Sequence, residues 1–98
     1  MNSDITKGSL VKSIAGRDAK RIFVVLEVCD EIYLSLADGG SRKLENPKKK
    51  KGKHVEFFHK NEGRLKEKLL NGEHITNAEL RRTILSVVGE GRCLQEEG

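Results

Sequence analysis

Three cationic tracts have the residue types and spacing to hold a polyanion. Lys48-Lys49-Lys50-Lys51 with Lys53 and His54 form the densest, Arg17, Lys20 and Arg21 a second with Lys12 just ahead of it, and Arg42 and Lys43 a third. Clustered cations bind a phosphate backbone because each phosphate neutralised releases condensed counterions, a gain that needs no particular base sequence. Arginine adds a planar fork of N–H donors matched to two phosphate oxygens at once. A lysine run alone also serves as a solvated linker. Three tracts in one small domain favour a single binding face, provided the fold brings the loop and its neighbours together.

The charge distribution sharpens this. Over 98 residues the formal net charge is only +4. Residues 1–21 carry five basic and two acidic groups, 22–40 four acidic and none basic, 41–60 eight basic and two acidic, and 61–98 six basic and seven acidic. Two basic segments thus flank an acidic one, the pattern of a local polyanion-binding face rather than a uniformly charged surface.

Other chemistries lack their residues. His54, His59 and His74 have no metal-ligand spacing, and Cys29 and Cys93 belong to no CxxC or Cys/His cluster. The serines sit in no nucleophile motif, there is no Walker loop, GxGxxG or HExxH, and Asp30-Glu31 is more simply a hairpin turn than an acid/base pair. The expectation is a protein that is not an enzyme and carries no cofactor or metal. Cys29 is expected to be a small buried hydrophobe in a reducing cytoplasm. No apolar leader or membrane-length run is present, which predicts a soluble, intracellular protein away from the membrane, and a monomer is expected. Tyr33, Phe57 and Phe58 could stack on bases, but with 4% aromatic residues the core needs Phe57 and Tyr33.

The elements that must position the cations are mainly β. Ile22 to Val28 is apolar at every position but Glu27 and rich in β-branched residues, which predicts a strand covered on both faces. Leu10-Val11 leads into it through the basic turn Gly16 to Arg21. Asp30-Glu31 separates it from Ile32 to Ala37, where Ile32, Leu34 and Leu36 alternate as on a half-buried strand. Asp38-Gly39-Gly40 is a turn, Ser41 to Leu44 a short basic strand, and Asn46-Pro47 a break. The lysine run then reads as a segment no packed core could absorb, and Val55 to Phe58 as a closing strand. Short strands at close spacing predict a small barrel. Beyond Asn61 the period turns helical. A first helix over Glu62 to Leu70 stops at Asn71-Gly72, and a second over Asn77 to Val88 starts with a Thr76/Glu79 capping box, staples Ile75 on Leu80 and ends at Gly89.

Gly8, Leu10-Val11, Gly16-Arg17-Asp18, the Ile22 to Val28 strand, Ala37-Asp38-Gly39 and Arg42-Lys43 together resemble the KOW motif of ribosomal and transcription-associated proteins. The nearest likeness is to small bacterial KOW-domain RNA-binding proteins, which resemble a eukaryotic and archaeal large-subunit ribosomal protein. The resemblance spans roughly residues 8–58 and implies an SH3-like barrel and RNA, in particular ribosomal RNA, as partner. In one place the chain departs from it: Ala19-Lys20 stands where the motif has Lys-Gly. A positive φ there would cost Lys20 about 1 kcal/mol that glycine avoids.

The resulting expectation is a flexible N-terminus over 1–7, a KOW/SH3-like barrel over 8–58, two short helices over 59–89 packed on it, and a flexible tail over 90–98. The barrel would dock structured RNA through Lys12, Arg17, Lys20, Arg21, Arg42, Lys43, Lys48, Lys49, Lys50, Lys51, Lys53 and His54. The alternative is an adaptor that uses its helices to bind ribosomal, transcription or translation proteins. An exposed Leu80, Ile84, Val88 stripe would favour it.

Overall fold

A computed structural model of the chain describes residues 5–97 apart from 18, 31 and 62, with side chains through 88. Five strands precede two helices: β1 (Leu10–Ser13), β2 (Ile22–Val28), β3 (Tyr33–Ala37), β4 (Lys48–Lys51), a 3-10 turn (Gly52–His54), β5 (Val55–His59), α1 (Arg64–Asn71) and α2 (Asn77–Glu97). The strands form one antiparallel sheet in the order β4-β3-β2-β1-β5. Among the described residues no helix is long and apolar enough to cross a membrane.

The sheet is strongly curled, as chain length alone requires. In a flat sheet of this order its two edge strands would lie about 19 Å apart at a strand spacing of roughly 4.8 Å. The chain from Lys51 to Val55 reaches about 14 Å at full extension, and here it is wound into a 3-10 turn. Only a curled sheet brings its edges within that reach.

Curling separates two cores, with β2 feeding both. Phe23 and Val25 point to the concave side, where they meet Val11, Leu34, Leu36 and Val55. Val24 points outward with Leu10 and Ala37 onto Leu65 and Leu69 of α1 and Leu80 of α2. This is the two-sided burial predicted for the apolar Ile22 to Val28 run. It is also what holds the helices in place, since the eight-residue α1 is not stable without an apolar surface to cover.

The signals at the start of α2 and at the end of α1 hold, whereas α1 begins at Arg64 rather than Glu62. Thr76 and Glu79 cap reciprocally: the Glu79 N–H donates to Thr76 Oγ1 and the Thr76 N–H to Glu79 Oε1, both at 3.2 Å. Lys68 Nζ of α1 donates to Glu79 Oε2 at 2.7 Å, tying the two helices together, and this bond is the main cause holding the Glu79 carboxyl below the ordinary glutamate range. α1 ends where Gly72 takes the left-handed conformation at φ +71°. α2, in contrast, continues past Gly89 to Glu97. One helical glycine costs about 1 kcal/mol against alanine, which lowers helix stability without forcing a stop.

Four expectations are corrected. Ser41 to Leu44 is not a strand, because Asp38 gathers the segment into a loop. Its Oδ1 accepts from the Gly40 N–H (2.9 Å) and the Arg42 N–H (2.8 Å), and its Oδ2 accepts from the Ser41 hydroxyl (2.9 Å). The lysine run supplies β4 instead, on a sheet edge where lysines are well tolerated. Ile5, placed in the flexible N-terminus, is buried in the concave core, and Ser9 fastens the segment through its N–H to the Thr6 carbonyl (2.9 Å). Cys29 is exposed, since β2 ends at Val28 and the hairpin beyond it stands clear of either core.

Candidate nucleic-acid interface

The pleat of β4 divides four identical residues. Lys49 lies opposite Ser35 and Lys51 opposite Tyr33 on the outer face, whereas Lys48 lies opposite Leu36 and Lys50 opposite Leu34, both core residues. Lys49 is exposed, and its ammonium sits 5.2 Å from the centre of the half-buried Tyr33 ring. Beside it, the Tyr33 and Ile32 N–H groups donate to Asp30 Oδ1 at 2.8 and 2.7 Å. Those bonds, with Lys49 adding a smaller attraction, hold the Asp30 carboxyl below the ordinary aspartate range.

Lys50 does the opposite of what a basic tract suggests. It is 8% exposed, and its ammonium crosses the concave interior to donate to Ser13 Oγ (2.7 Å) and to the Ala15 carbonyl (2.8 Å). Burying an ammonium is costly unless acceptors replace its water, and these two do so at the point where β1 turns into the basic loop. Lys50 therefore leaves the cationic surface predicted from sequence and becomes the floor of the loop above it. The expectation that no packed core could absorb the run fails at this residue.

That loop joins the 3-10 turn. The Ile14 N–H donates to the His54 carbonyl at 2.9 Å, and the Lys20 N–H returns to the Ser13 carbonyl at 2.7 Å. The loop that carries exposed Arg17 and Lys20 is thereby joined to the turn that carries exposed Lys53 and half-buried His54, on one rim of the sheet. Lys20 adopts φ +76°, so the residue standing where the motif has glycine occupies the glycine conformation.

The remaining candidates do not share this rim. Arg21 turns away, donating from Nη1 to Ser41 Oγ at 2.7 Å, which places it with half-buried Arg42 and exposed Lys43 in the Asp38 loop. Lys12 is half-buried on β1, paired with Ile22 on one side and Glu56 on the other. Arg81 of α2, which no sequence signal singled out, joins the Asp38 loop by donating from Nη1 to the Gly39 carbonyl. A lone arginine on a charged helix face carries no mark of the loop it will meet. Of the aromatics, Phe57 packs on the concave core and Phe58 is exposed.

No protein-family model matches this chain, and no curated protein matches it.

Proposed function

We propose that the chain is a KOW-type, SH3-like barrel that docks on structured RNA, ribosomal RNA in particular, in the cytoplasm. The strand order β4-β3-β2-β1-β5 and the three-residue 3-10 turn between the edge strands support the barrel. The observation that carries the function is the Ile14 to His54 hydrogen bond. It fuses the basic loop with the end of the lysine tract, so that Arg17, Lys20, Lys53 and His54 form one rim, with Lys49 and Lys51 on the adjoining outer face. Docking would be electrostatic, the loops setting register on the phosphate backbone.

The adaptor reading has less support. Of the Leu80, Ile84, Val88 stripe that would favour it, Leu80 is fully buried, Ile84 packs in part against the outer core and Val88 is half-buried.

Replacing Arg17, Lys20 and Lys53 together with glutamine tests the rim. If each holds one phosphate, the slope of log K against log salt flattens by about 2–3. Unchanged affinity and slope would remove the rim from the interface. Sedimentation of cell lysate at low and high salt tests the ribosomal assignment: co-migration with the large subunit that high salt abolishes is expected, and a protein at the top of the gradient under both conditions would reject it.

A further inference from the structure

We infer that a cavity between the Asp38 loop and α2 receives a single unpaired nucleotide of the bound RNA, a reading that rests on the proposed RNA partner. The cavity measures about 330 Å³ and is flanked by Arg21 and Arg81, with Ile22, Ile84 and Leu85 supplying apolar walls. That volume lies at the lower end of the range for small-molecule sites. Leu85 is 67% exposed, although Ile84 beside it is drawn into the outer core. An apolar side chain left uncovered next to two guanidinium groups suits a ligand that is apolar on one face and anionic at one end.

Both arginines are held in place before any ligand arrives. Arg21 Nη1 is bound to Ser41 Oγ, and Arg81 Nη1 to the Gly39 carbonyl. A guanidinium has five N–H donors, so each keeps others for a phosphate. Gly39 fixes the spacing between them: at φ +81° it lies so close to the Asn77 carbonyl that no Cβ would fit, which presses the loop onto the start of α2. Asp38, the acidic residue in the wall, has its oxygens occupied by the Gly40 and Arg42 N–H groups and the Ser41 hydroxyl. Its charge is turned into its own loop.

Charge complementarity selects the occupant. A base can lie on Ile22, Ile84 and Leu85 while its phosphate sits between Arg21 and Arg81. In structured RNA it is the bulged or looped-out nucleotides that present a free base face to a protein. Arg21 follows Lys20 in the chain but turns away from the rim, so the cavity is a contact separate from the rim.

The test compares two RNA hairpins binding the full chain at fixed salt, one carrying a single bulged uridine and one fully paired. The bulged hairpin is expected to bind roughly tenfold tighter, at the low end of what a base contact supplies. Leu85→Glu should collapse that ratio to one, and Leu85→Met should keep it. Equal affinity of the unaltered chain for both hairpins overturns the cavity and leaves backbone docking intact. A bulge preference that survives Leu85→Glu overturns it too, since the bulge is then read elsewhere. Binding of neither hairpin overturns the RNA reading, and the cavity with it.

Discussion

Lys49 and Lys50 are neighbours in a run of four identical residues, yet one is exposed over an aromatic ring and the other is buried against a hydroxyl and a carbonyl. The difference comes entirely from the pleat. Successive residues of a strand face opposite sides, so a uniform basic tract is sorted into one set that meets solvent and another that meets the core. Lysine permits this because its stem is apolar and only its tip demands polar company. What looks like a single basic element therefore divides between a solvent-facing surface and the support of the loop beside it.

The strongest way to break this division is to truncate each lysine in turn. Lys50→Ala removes the buried ammonium with its bonds to Ser13 Oγ and the Ala15 carbonyl, leaves those two groups only the longer 3.2 Å bond from the Ser13 hydroxyl to that carbonyl, and empties space beside Leu34. A loss of about 1.5–3 kcal/mol in urea unfolding is expected, in line with hydrogen bonds made by a charged group. Lys49→Ala should stay within about 0.5 kcal/mol of the unaltered chain, as exposed substitutions do. Equal costs at the two positions would mean the pleat does not separate their roles.

A second lysine sharpens the contrast by having the opposite sign. Lys20 sits above the floor that Lys50 makes, and at φ +76° it is in a conformation that costs an L-residue with a Cβ. Lys20→Gly should raise stability by about 1 kcal/mol while weakening the proposed RNA docking, because the rim loses a cation. Lys50→Ala should lower stability. A Lys20→Gly variant that is less stable than the parent would show that the side chain makes a contact worth more than its strain.

The sequence revealed these two lysines unequally, for physical reasons. The cost at Lys20 was legible because a motif with glycine at that place implies a positive φ. The two-sided burial of β2 was legible because an unbroken apolar run suits no half-exposed strand, and the start of α2 because a capping box needs only local spacing. Nothing in Lys48 to Lys51 could announce β4, since periodicity is read from differences between residues and four lysines have none. The same limit hid Arg81, whose loop partner is 42 residues away. Asp38 reads in the sequence as a turn residue, yet its three side-chain hydrogen bonds replace the predicted strand at Ser41 to Leu44. Short-range pattern thus located the strands that build the cores and missed the contacts that aim the cations.

The smallest expected effect tests whether the outward lysine has any structural hold. Asp30 is held below the ordinary aspartate range first by the Tyr33 and Ile32 N–H groups, with Lys49 a lesser cause. A carboxyl whose folded pKa lies below its unfolded value of about 3.9 adds stability above that pH and loses it as pH falls through the folded value. Following the Asp30 side chain by NMR through an acid titration should therefore show it still below the ordinary range in Lys49→Gln, displaced upward only slightly, with the hairpin loosening over the same acidic window in both proteins. The backbone donors remain when the lysine goes. Were Asp30 to return to the ordinary value in that variant, Lys49 would be organising the β2–β3 hairpin as Lys50 organises the basic loop, and the two faces of β4 would no longer divide the work.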